Sequence, residues 1–135
     1  MTKWHFWPVL PWGRVAKAKH LFQQGATAYA NGEFHIAAEK WEKVQRLFEA
    51  AGERKLLAAC ENSLGNAYQR LGQPTHALQA YERALALQQA LGDRRGEAAD
   101  LANTGAVYQN IGELDQAEAL ARLRERGLSG PRSLS

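Results

Sequence analysis

Residues 62–87, NSLGNAYQRLGQPTHALQAYERALAL, decide the fold, because their pattern is written three times along the chain. Gly65, Gly72 and Ala77 mark it. About forty residues further on stand Gly105, Gly112 and Ala117, and the same distance back stand Gly25, Gly32 and Ala37. Small residues recurring with a period of this size indicate stacked helical repeats. Leu64, Gly65, Tyr68 and Leu71 fall at helical intervals, which predicts an amphipathic helix up to Leu71. Gly72 then stands where a helix stops, since glycine enters the left-handed region without steric cost. Pro74 suits the first turn of the next helix, whose apolar stripe is Ala77, Tyr81, Ala84 and Leu85. A mid-helix glycine costs roughly 1 kcal/mol relative to alanine. Its recurrence predicts close helix contact at Gly65 and Ala77, with Tyr68 and Tyr81 filling the space beside them.

Extending this reading in both directions predicts six helices in three hairpins, at about 14–53, 54–93 and 94–127. The first helix runs from near Arg14 to Asn31. The second, from about Glu33 to Ala50, turns Phe34, Ala37, Trp41, Val44 and Phe48 inward and leaves Glu39, Lys40, Glu42 and Lys43 as a solvated face. Helix five, from Arg94 to Ile111, carries Leu101, Val107 and Tyr108, and Asp93 stands before it as a plausible N-cap. The pattern weakens in helix six. Leu114, Ala117, Leu120 and Ala121 keep the stripe, but Arg124 stands where Val44 and Ala84 stood. The run GLSGPRSLS after Arg126 reads as loop, with a disordered tail at 128–135.

The chain has 135 residues and 45% hydrophobic content, enough for one domain with a continuous core. Its formal charge of +3 is concentrated at the ends. Residues 21–115 hold nine bases and twelve acids, so the repeat body is mildly acidic. That disfavours nucleic acid, which calls for a basic stripe along the working face. One cysteine, Cys60, allows no internal disulfide framework and reads as a small buried hydrophobe. No stretch approaches the ~20 apolar residues of a membrane span, and Pro8 and Pro11 break up the short apolar run at the start, so a membrane partner is disfavoured and a cytoplasmic location is expected.

Residues 1–13 differ in composition from the rest, with Trp4, Phe6, Trp7 and Trp12 beside Pro8 and Pro11. This aromatic segment has three readings: a cap over the first hairpin, an interfacial membrane contact, or a strand of side chains that docks on another copy or another protein. At the other end, a last hairpin without a covering helix would expose Leu114, Leu120 and Leu123, and exposed apolar surface usually means contact. Homo-oligomer formation through these two ends is therefore the second expectation for function. Catalytic and metal constellations do not emerge. His5, His20, His35 and His76 are scattered, and the glycines recur periodically instead of clustering into a phosphate loop. No cofactor or enzyme activity is expected.

Gly65, Tyr68, Gly72, Ala77, Tyr81 and Ala84, with Leu64 before the first glycine, resemble the tetratricopeptide repeat. Gly105, Tyr108, Gly112 and Ala117 match nearly as well. The first copy departs, with Ala28 at the tyrosine position and Tyr29 one place late. The period of about forty, against the usual thirty-four, and LGDR at 91–94 are similar to the kinesin-light-chain type of that family. The resemblance implies an all-α, right-handed solenoid serving as a noncatalytic protein-interaction module. Its concave groove, lined by the first helix of each hairpin, would hold a peptide or helix of a protein partner. Carried over, the lining is Lys19, Phe22, Gln23, Ala26, Tyr29 and Ala30, then Ala59, Asn62, Ser63, Asn66, Gln69 and Arg70, then Ala99, Ala102, Asn103, Ala106, Gln109 and Asn110. Asn62, Asn66 and Asn103 would grip a backbone, since amides both donate and accept, with Phe22 and Tyr29 as apolar anchors and Arg70 as a local charge. One subclass clamps a C-terminal carboxylate with Lys and Asn. Phe22 and Ala26 stand at two of those places, which speaks against that specialisation here.

Overall fold

Four glycines twenty residues apart, Gly32, Gly52, Gly72 and Gly92, take φ values of 80°, 71°, 72° and 71°. Each closes a helix in the same way. The glycine N–H donates to the carbonyl three residues back, and the next N–H to the carbonyl five back, as in Gly72 to Tyr68's neighbour Gln69 at 3.0 Å and Gln73 to Tyr68 at 2.8 Å. This paired closure satisfies carbonyls that a helix end would otherwise orphan, and it requires a residue free to adopt positive φ. The computed structural model, which describes residues 11–125, accordingly contains helices α1 (Pro11–Ala30), α2 (Phe34–Ala51), α3 (Arg54–Arg70), α4 (Pro74–Leu91) and α5 (Arg94–Glu125). Pro74 opens α4 as expected. Asp93 caps α5, its Oδ1 accepting from the Gly96 N–H at 2.9 Å.

Each helix packs on the one that follows it. Side chains of α3 and α5 also meet directly, and α1 with α3 and α2 with α4 line shared clefts, so odd and even helices form two layers. The core lies between the layers. Ala37, Trp41, Val44 and Phe48 of α2 meet Ala18 and Ala28 of α1 and Cys60, Leu64 and Ala67 of α3. A second cluster joins Ala77 and Tyr81 of α4 to Val107 of α5. The close approaches are where the glycine pattern puts them. A Cβ on Gly25 would lie 2.7 Å from Cδ1 of Trp41, and one on Gly65 would lie 2.7 Å from Cδ1 of Tyr81. Each hairpin is thus closed by an aromatic ring laid on a glycine, an arrangement that loses helix propensity and gains burial of a large side chain.

The third copy does not form this hairpin. α5 continues without interruption for 32 residues, about 48 Å at 1.5 Å per residue, so the described chain has five helices where six were expected. Gly112 lacks the positive φ of its four counterparts. Position explains the difference. Trp41 and Tyr81 are followed, forty residues on, by Ala121, and Arg124 replaces Val44 and Ala84. Among the described residues, nothing outside the helix's own backbone would come within 4 Å of a Cβ on Gly105. Glycine permits a turn but does not compel one. With no ring to bury by folding back, Gly112 stays in the helical ladder, and an unbroken helix keeps the backbone bonds a turn would forfeit. Leu101, Tyr108 and Leu114 consequently stay 57%, 61% and 64% exposed. Trp4, Phe6 and Trp7 and the expected tail 128–135 lie outside the described residues, as do the side chains of Trp12 and Leu123.

Two buried acids depart from the reading of the carboxylates as surface charge. Glu61, 2% exposed, accepts from Gln45 Nε2 at 2.5 Å and Arg83 Nε at 3.0 Å, and so ties α3 to α2 and α4. Asp100 is fully buried with neither oxygen hydrogen-bonded. Burial, and secondarily the charge of Asp93, push its carboxyl up to about 6. Nor is the outward face of α2 purely solvated. Glu42 is half-buried, and its Oε2 accepts from the Tyr68 hydroxyl at 2.7 Å.

Candidate functional site: the face of the odd helices

The residues expected to line a groove fall into two groups. Lys19, Phe22 and Gln23 of α1 meet Leu56 and Ala59 of α3, with Phe48 of α2 beneath, around a cleft of about 230 Å³. Its walls are mostly apolar, with Lys19 and Gln23 exposed at the rim. Phe22 is held by the core behind it: its ring lies 5.7 Å from that of Trp41, and its carbonyl accepts from Trp41 Nε1 at 3.2 Å. The cleft wall therefore stands on the same tryptophan that closes the first hairpin. Along the α1 edge, Tyr29 packs edge-on to Phe34 at 5.1 Å, and the Arg70 guanidinium sits 4.8 Å above the Phe34 ring. Arg70 is thus positioned by an aromatic face while remaining exposed.

The second group is the amide row. Asn103 Nδ2 donates to Asn62 Oδ1 at 2.9 Å, and Asn110 Nδ2 donates to Gln69 Oε1 at 3.4 Å, joining α5 to α3 twice. The Tyr81 hydroxyl donates to Asn66 Oδ1 and accepts from Gln69 Nε2 at 2.9 Å. Asn62, Ser63, Asn66, Gln69 and Asn103 are half-buried, whereas Gln109 and Asn110 are exposed. Much of the hydrogen-bonding capacity assigned to a ligand backbone is thus spent within the chain. The expectation overlooked that Tyr81, buried under Gly65, needs partners for its hydroxyl, and Asn66 and Gln69 on the facing helix supply them. Leu56 and Phe48, which complete the cleft, were not on the expected lining. The repeat frame gave no signal for Leu56, whereas Phe48 had been read as core.

Cys60 is fully buried and its Sγ donates to the Trp41 carbonyl at 3.2 Å. Burial and the neighbouring Glu61 push its thiol well above the ordinary range, so it is packing, not a nucleophile. Among the described residues no three potential metal ligands gather, and no helix is long and apolar enough to cross a membrane.

A family model described as tetratricopeptide repeat matches residues 14–90 and again 62–124. The chain belongs to the tetratricopeptide repeat family. The two overlapping matches span both hairpins and most of α5, so the family pattern runs through the segment where the last hairpin fails to form. Repeats of this family generally mediate protein–protein interaction, and the cleft lies on the layer of first helices. No curated protein matches the sequence closely enough to count as a relative.

Proposed function

We propose that this tetratricopeptide repeat protein is a noncatalytic interaction module that takes one large apolar side chain of a partner peptide or helix into the cleft between α1 and α3. The observation that carries this reading is the cleft itself, apolar between Phe22, Phe48, Leu56 and Ala59 and edged by Lys19 and Gln23. An apolar pocket with a few polar groups at its margin is the usual form of a recognition site. Lys19 suits a partner carboxylate and Gln23 a peptide group of the partner backbone. Tyr29 and Arg70 extend the contact along α1 and α3, and the exposed amides Gln109 and Asn110 continue it towards α5.

Ala59 offers a clean test, because it is exposed and lines the cleft without supporting the core. Ala59→Tyr fills the cleft while leaving the hairpin closures intact. A displayed library of random peptides selected on the full chain should yield sequences with a large apolar residue close to an acid. Their affinity, measured by calorimetry, should fall at least about ten-fold in Ala59→Tyr, roughly 1.4 kcal/mol, with an unchanged melting temperature. Selected peptides that bind both proteins equally would remove the cleft from the account.

A further inference from the structure

We infer that Asp100 is a proton-dependent latch: in the folded chain it keeps its proton and donates it to the Tyr81 carbonyl, and when the proton leaves, α5 parts from α4. The repeat itself supplies the template. Cys60 is fully buried on α3, and its Sγ donates to the Trp41 carbonyl of α2 at 3.2 Å. One period of forty residues moves Cys60 onto Asp100 and Trp41 onto Tyr81. The backbone keeps that register. α3 and α5 start at Arg54 and Arg94, and Gly52 and Gly92 before them share a φ of 71°. The N–H after each of these glycines bonds five residues back, at 3.0 and 2.9 Å. On α5, Asp100 and Val107 are the buried side chains among the described residues. They lie seven apart and so on one face, and Val107 packs against Ala77 and Tyr81 of α4. Asp100 therefore faces α4 as Cys60 faces α2.

A carboxylate at that place would be an acceptor turned towards an acceptor. Ionised, Asp100 has no hydrogen to give. Protonated, it carries one O–H, and a carbonyl already bonded within a helix keeps a second lone pair to receive it. Neither Asp100 oxygen meets a donor among the described residues, although both are shut off from water. The neutral acid is the form that satisfies this place. Burial, and then the like charge of Asp93 in the turn before α5, raise the carboxyl to about 6. The Tyr81 hydroxyl is committed to Asn66 and Gln69. Among the described residues no base is left to compensate a charge there. Arg83 of α4 pairs with Glu61, and Arg70 of α3 sits over Phe34. Arg54, Lys55, Arg94 and Arg95 are exposed at the helix starts, as are His76 and Glu82 on α4. The contacts of α5 with α4 form a cluster, Ala77, Tyr81 and Val107, separate from the one that joins α1, α2 and α3. Loss of the proton can therefore open α5 locally while the two hairpins stay folded.

Carbon-detected NMR of the full chain, labelled at aspartate carboxyls and tyrosine carbonyls, tests the bond. The Asp100 carboxyl carbon should titrate with a midpoint near 6, and the Tyr81 carbonyl carbon should shift with the same midpoint. Amide hydrogen exchange tests the release. With a folded value near 6 against an ordinary 3.8, protection should fall about ten-fold between pH 5 and pH 7.5 after correction for intrinsic exchange. That loss should fall on α5 and spare α2 and α3. Asp100→Asn keeps a donor and cannot ionise, and Asp100→Cys copies Cys60. Protection of α5 should be independent of pH across this range in both. An Asp100 midpoint near 3.8, or a Tyr81 carbonyl indifferent to the titration, overturns the latch. So does a loss of protection spread evenly over all five helices, or one that persists in both variants.

Discussion

Trp41→Ala should lower the unfolding free energy by about 3–5 kcal/mol, the range for deleting a buried aromatic side chain. Three things are lost together. The ring is 4% exposed and packs between Phe22 at 5.7 Å and Tyr29 at 5.8 Å. Its indole N–H satisfies the Phe22 carbonyl at 3.2 Å. Finally, Gly25, whose missing Cβ admits the ring, is left facing the space the ring vacates. Urea denaturation of variant and wild type measures the effect. A loss below 1 kcal/mol would mean that the first hairpin is not closed by this contact.

The second large effect depends on pH. Asp100 is fully buried, and its carboxyl is raised from 3.8 to about 6, first by burial and then by Asp93. A group raised in the folded state favours folding below its unfolded value and loses that contribution as pH climbs through the folded value. Ionising Asp100 in place should therefore cost about 2–3 kcal/mol between pH 4 and pH 8, at 1.36 kcal/mol per unit. Asp100→Asn cannot ionise. Relative to wild type it should be close in stability at pH 4 and more stable by about 2–3 kcal/mol at pH 8. Denaturation curves of the two proteins that stay parallel across this range would show that Asp100 reaches water. The residue one repeat earlier is Cys60, which fills the equivalent place without a charge to bury. α5 is thus the helix whose seating should weaken as pH rises.

The helix ends were legible because their cause is local. Positive φ is cheap for glycine alone, so Gly32 and Gly72 announced turns from sequence, and Gly52 and Gly92 close their helices by the same bonds. The core stripe from Ala37 to Phe48 was legible because burial imposes a helical period. The fate of Gly112 was not local. It depended on what lies at position 121, and the signal was present in the series Trp41, Tyr81, Ala121. A residue that permits a turn had been read as one that makes a turn. The cleft was half legible. Lys19, Phe22, Gln23 and Ala59 came from the family resemblance, which also assigned the amides of α3 and α5 to a ligand without counting their neighbours. Asn62 met Asn103, and Asn66 met the hydroxyl of Tyr81. Glu61 escaped notice because a carboxylate on a mixed helix face looks solvated until Gln45 and Arg83 are seen to converge on it from two other helices.

The third copy departs from the first two because α5 runs through Gly112 as one helix. Spin labels at Ala99 and Ala119, both exposed on α5, measure this directly through their separation. Pulsed dipolar spectroscopy at low protein concentration should give about 30 Å, twenty residues at 1.5 Å each. A distance near 10 Å, the spacing of two packed helices, would mean that the chain folds back at Gly112.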